Sequence, residues 1–208
     1  MPVHRLGWDA RERRWFEWGV AWKDGRFVWE RMPDGGKSKV QSPKSSVAGL
    51  LPDVPLALQE VLPDGFTTEI CPAAESWWRE AAALLNRGKF VTIDYGLTAV
   101  DFFKPERKDG TLRAYYRHHA SGDILANAGE QDITAHVNFS AIQAAGEAAG
   151  LSTEAFQTQA QFLTDIVRRA WQEGSAFGPW TPQRTRQFQT LTHPEHLGRA
   201  FRVLIQSR

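Results

Sequence analysis

Long apolar runs are missing from this sequence, and with them any helix able to cross a bilayer, which needs about 18 to 20 consecutive apolar residues. Cysteine is nearly absent. The single Cys71 excludes an internal disulfide and has no cysteine partner for a zinc knuckle, so a small half-buried thiol in a reducing compartment is expected. An excess of charge of one sign is lacking too. Lys and Arg number 25 against 24 for Asp and Glu, a net charge of +1, so no global field draws in nucleic acid or an anionic membrane surface. The opening residues Met1 to Trp8 lack the charged, then apolar, then small-residue order of a signal peptide. The expectation is a soluble cytoplasmic protein.

Familiar chemical signatures are equally scarce. No G-x-S-x-G elbow, S-x-x-K, H-E-x-x-H or G-x-G-x-x-G occurs, which removes the common hydrolase, protease and dinucleotide motifs. Gly35-Gly36-Lys37-Ser38 looks like the end of a phosphate-binding loop, but Arg31 stands where the first glycine is needed and Pro43 interrupts the following helix. The histidines are scattered, and Pro194 separates His193 from His196, so no metal site is expected.

What remains is ordinary globular material with one unusual count. Of 208 residues, 42% are hydrophobic and 24% charged, which supports a real core. Nine are tryptophan. Trp15, Phe16, Trp18, Val20 and Trp22, then Phe27, Val28 and Trp29, form two aromatic β runs split by Asp24-Gly25, a hairpin signal. Residues 31–65 hold five prolines and read as an irregular connection with a helical turn around Leu56 to Leu62.

From Phe66 the pattern alternates between strand and helix. A strand is expected over Phe66–Ile70, a helix from Pro72 to about Asn86, and a strand buried on both faces at Phe90–Ile93. A strand over Thr111–Tyr116 and a helix over Phe139–Ala149, capped by Asn138 or Ser140, come next. Then follow a strand at Ala155–Gln159, a helix at Phe162–Trp171, another helix to about Leu191, and a last strand at Phe201–Ile205. This order predicts an α/β domain over 66–208 with a parallel or mostly parallel sheet, preceded over 1–65 by a β-hairpin appendage and its Pro/Gly-rich connection. Ligands collect beyond the carboxyl ends of the strands in such sheets, which makes Asp94 and Tyr95 site candidates.

The segments Gly88 to Gly96, Thr111 to Tyr115 with His118, Asp132 to Phe139, Gln161-Phe162-Leu163 and His196 to Leu204 resemble, in order and spacing, those of MidA-type methyltransferases that use S-adenosylmethionine. This is the family of the mitochondrial complex I assembly arginine methyltransferase. Asn138 departs from it, standing where the family has an acidic residue. The resemblance implies the C-terminal half of a Rossmann-like class I methyltransferase sheet, with the aromatic-rich small sheet in front of it. It also implies that the glycine-rich turn and acidic residue that hold S-adenosylmethionine in the full-length family lie before Met1, so no cofactor is expected on this chain alone.

Methyl transfer to nitrogen needs a positioned acceptor and a group to take its proton. The candidates are Asp94, Tyr95, Asp132 and His136 for catalysis, and Arg113, His118 and Thr134 for substrate binding. The implied acceptor is an arginine on a protein, a complex I-type subunit by resemblance. The competing expectation is a non-catalytic interaction module from a truncated or split gene. Its partner would be the missing N-terminal half, or a second copy paired through the edge of Phe90–Ile93.

Overall fold

The computed structural model describes residues 2–33, 60–172, 178 and 180–208. Most of the connection expected over 31–65, including the helical turn at Leu56–Leu62 and the Gly35–Ser38 stretch, lies outside the described residues. The chain forms two compact units, Met1–Ala74 with Ala99–His136, and Glu75–Thr98 with Val137–Arg208.

The first unit is built on a four-stranded antiparallel sheet in the order β3-β2-β1-β4, from β1 (His4–Asp9), β2 (Arg14–Lys23), β3 (Arg26–Arg31) and β4 (Thr67–Ile70). The hairpin expected at Asp24-Gly25 is present, with both residues in the left-handed region at φ 49° and 76°, as a two-residue turn that matches strand twist requires. Leu6 and Phe66 are fully buried, and the Trp15 ring packs at 5.2 Å from Trp8 and 6.3 Å from Phe66. Trp8 and Trp15 thus form part of an aromatic core in this unit, whereas Trp22 is 63% exposed and pairs with Phe27 at the surface. A short helix α2 (Ala99–Phe102) and a 3-10 turn (Pro105–Arg107) lead to a second, three-stranded sheet. Its order is β7-β6-β8, from β6 (Arg113–Tyr116), β7 (His119–Ser121) and β8 (Asp132–Thr134).

The second unit carries a sheet in the order β10-β11-β5-β9, from β5 (Lys89–Leu97), β9 (Val137–Asn138), β10 (Ser152–Thr158) and β11 (Phe201–Ser207). The expected parallel sheet is corrected here. β11 runs antiparallel between β5 and β10, and only Gly96↔Val137 and Leu97↔Asn138 pair in parallel. The reason is local: the turn over 193–198 delivers the chain beside the end of β10, where Ala160 N–H donates to the Gly198 carbonyl, so the final strand enters running back.

Helix α1 (Pro72–Leu84), within the second unit from Glu75 onward, and α3 (Phe139–Ala148) cover one sheet face. Trp78 stacks on Phe90 at 4.3 Å, and its indole N–H donates to the Gln206 amide oxygen at 2.8 Å. The Gln206 amide nitrogen donates to Gln143 O and Thr153 Oγ1, so this fully buried polar side chain is satisfied. Helices α4 (Gln159–Gln172) and α5 (Pro182–Thr192) complete the unit. β5 is not buried on both faces as expected. Val91, Ile93 and Tyr95, which alternate onto one face, are 46%, 45% and 48% exposed. From Lys89 to Tyr95 its second edge pairs with no described strand. No helix among the described residues is long and apolar enough to cross a membrane.

Candidate functional site

The sequence candidates fall in both units. Asp94 and Tyr95 lie on β5 in the second unit, and Arg113, His118, Asp132, Thr134 and His136 belong to the first.

In the first unit the pairing of β6 with β8 decides which side chains share a surface. Arg113 is opposite Thr134 and Tyr115 opposite Asp132, and residues two apart on a strand share a face. Arg113, Tyr115, Asp132 and Thr134 therefore stand together on one exposed face, a cation, a phenol, a carboxylate and a hydroxyl. Arg113 also folds back to donate to Leu112 O at 2.6 Å. His118 sits at the tip of the β6–β7 hairpin, where it and Arg117 adopt φ 67° and 49°, and it is exposed.

His136 continues the same ladder by one further step. Its backbone N–H donates to Thr111 Oγ1 at 3.2 Å, and Thr111 lies opposite it in the extended β6–β8 register. Thr111 is in turn held from below. Its N–H and hydroxyl both donate to Glu69 Oε2, at 2.6 and 2.9 Å. The Glu69 side chain is 1% exposed; its other oxygen makes no hydrogen bond among the described residues and lies 4.0 Å from Arg5 Nε. Burial pushes the Arg5 guanidinium below its ordinary pKa, opposed by the charges of Glu69 and Asp109.

In the second unit Asp94 Oδ1 accepts the Tyr95 backbone N–H at 2.7 Å. The two residues are neighbours on a strand and so project to opposite faces, which separates them as partners. Tyr95 packs on Phe201 at 4.1 Å, and Asp94 shares its face with Arg202, its cross-strand partner, whose Nε is buried without a hydrogen bond among the described residues. Asn138 caps α3, its Oδ1 accepting the Ala141 N–H at 3.2 Å. Asparagine does this as well as aspartate, so the missing charge at 138 leaves the local structure intact.

Sequence reasoning missed Tyr115, Thr111, Glu69 and Arg5. The alternation in Arg113-Ala114-Tyr115, with Ala114 fully buried, was a usable signal for Tyr115. For Glu69 the only hint was a lone charge in an otherwise uncharged run, Phe66 to Ile70. Among the described residues no group of three or more His, Cys, Asp or Glu is arranged to hold a metal ion.

Comparison with other proteins supplies the remaining context. Residues 1–157 match the family described as "Putative S-adenosyl-L-methionine-dependent methyltransferase". Two crystal structures from Burkholderia thailandensis, one of a protein described as uncharacterized and one bound to S-adenosyl-homocysteine, are each 32% identical to this chain. Both superpose with a TM-score of 0.75 over 100% of it. The chain spans 52% and 50% of those proteins, about half their length. No curated protein matches the sequence.

Proposed function

The chain belongs to this family of S-adenosyl-L-methionine-dependent methyltransferases, and we propose that it is the C-terminal portion of a MidA-type enzyme that methylates arginine on a protein, in the service of respiratory complex assembly. The observation that carries this reading is the match of the whole chain to half of a structure that holds S-adenosyl-homocysteine, the form the methyl donor takes once its methyl group has left. The strand order supports the Rossmann-like part of it. β5 and β10 run in one direction, each followed by a helix, and β11 returns between them.

Among the described residues, the carboxyl end of β5 does not fit the donor. A nucleoside cofactor is approached by bare glycine backbone at a strand end. At the carboxyl end of β5 the glycine is Gly96, and a Cβ there would overlap the fully buried Phe139 ring, so this space is already filled. In this proposal S-adenosylmethionine is held by the half of the family's length that the chain does not span. The chain's own residues handle the acceptor. A guanidinium pairs with a carboxylate and stacks on an aromatic face, which Asp132 and its cross-strand neighbour Tyr115 offer side by side. Methylation releases a proton from the acceptor nitrogen, and Asp132 and His136, or Asp94 on β5, are the groups to take it. Thr134, Arg113 and His118 bind the flanking peptide.

The reading is tested by mass spectrometry of proteins from host cells with and without the gene. Arginine sites carrying an added methyl group should appear with the gene and vanish with Asp132→Asn. Gene-dependent methylation confined to other acceptor atoms would overturn the arginine assignment. A second reading, an interaction module without catalysis, is favoured by one observation: β5 exposes an apolar row, and from Lys89 to Tyr95 its second edge has no partner among the described residues.

A further inference from the structure

We infer that Glu69 is a positioning residue, whose buried carboxylate acts through Thr111 to fix the ladder that carries Arg113, Tyr115, Asp132, Thr134 and His136. A strand pair ends where its hydrogen bonds run out, and the open end of β6–β8 lies at Thr111 and His136. There the ladder is continued by a side chain. Thr111 Oγ1 accepts the His136 N–H and donates its own proton to Glu69 Oε2, which also accepts the Thr111 N–H. The carboxylate thus occupies the place of a further strand.

Three other contacts lash the same segment to the four-stranded sheet. Thr67 N–H donates to Lys108 O at 2.6 Å, Arg5 Nη2 donates to Asp109 O at 3.2 Å, and Gly110 at φ +77° lies so close that a Cβ would overlap the Glu69 carboxylate. A carboxylate suits this place better than an amide. It accepts both Thr111 bonds on one oxygen and turns the other toward Arg5, whereas a glutamine would have to face either Arg5 or the Thr111 N–H with its own N–H groups. Leaving a buried charge without its partner is costly, which favours the carboxylate turned toward both Thr111 and Arg5. The inference rests on the reading of the β6–β8 face as the acceptor site, and its functional meaning is that Glu69 orients that face without touching the acceptor.

The test is amide exchange and chemical shift at Thr111 and His136, by NMR on the full 208-residue chain. Thr111→Val, which keeps the shape and removes the hydroxyl, should raise His136 amide exchange about tenfold, the loss of roughly one net hydrogen bond. Thr111→Ser should restore protection. Glu69→Ala, which removes both acceptor oxygens, should expose the Thr111 amide and loosen His136, while amides of β1–β3 stay protected. An unchanged His136 amide in Thr111→Val overturns the inference, as does one that Thr111→Ser fails to rescue. If Glu69→Ala does not fold, the Thr111 pair of variants decides alone. These signals do not depend on methyl transfer, so a failed methylation assay would leave them in place and count only against the function.

Discussion

Gly110 is one of the positions where a side chain is excluded by the fold. Its φ of +77° disfavours any side chain, and a Cβ there would run into the Glu69 carboxylate. Gly110→Ala should therefore cost about 2 kcal/mol or more, the sum of left-handed strain and overpacking. Urea unfolding would show it as a lowered midpoint with an unchanged slope. The turn was invisible beforehand because a glycine in a charged loop looks like any other turn residue. Only the fold brings Glu69 against it, from 41 positions earlier in the chain. Asp94 and Tyr95 show the complementary case. The short apolar run followed by glycine places them at the carboxyl end of the strand, but β5 runs on to Leu97 and holds both inside the ladder, and the alternation that sends them to opposite faces argues against a joint role.

At the scale of elements, helix α3 was readable almost to the residue, because its ends are set by local chemistry. Asn138 accepts the Ala141 N–H, and Gly150 at φ +88° stops the chain. Asn138→Ala should lose about 1 kcal/mol of stability in thermal unfolding, while Asn138→Asp, which restores the residue type of the resembling family, should lose nothing measurable. β5 was less legible. Phe90-Val91-Thr92-Ile93 is nearly continuous in apolar character, which reads as burial on both faces. Here one face is exposed and, among the described residues, most of one edge has no partner, because burial depends on what covers a strand and not on the strand's own residues. An open apolar row on an unpaired edge drives association. Light scattering of the isolated chain should give a mass above that of a monomer, and Ile93→Lys should return it toward the monomer. A monomeric wild-type chain would count against an exposed pairing edge.

On the scale of the whole molecule, the order of the longer strands and helices from Thr67 onward was legible, and sheet direction was not. Strand-helix alternation is a local pattern, whereas the antiparallel return of β11 follows from the turn that feeds it. The short strands β7, β8 and β9 carry two or three residues each and leave no periodicity to read. The candidate face of β6–β8 was accordingly half-seen, with Asp132, Thr134 and Arg113 found by resemblance and Tyr115 and Glu69 found only through pairing.

The chain spans about half the length of its solved relatives, one of which holds S-adenosyl-homocysteine. Donor and acceptor are then handled by different parts of the protein in the proposed function. Isothermal titration with S-adenosylmethionine tests it most directly, first on the 208-residue chain and then on the chain mixed with the complementary half of the Burkholderia thailandensis relative. The account predicts no micromolar binding by the chain alone and binding by the mixture that exceeds that of the complementary half by itself. Micromolar binding to the chain alone would contradict it.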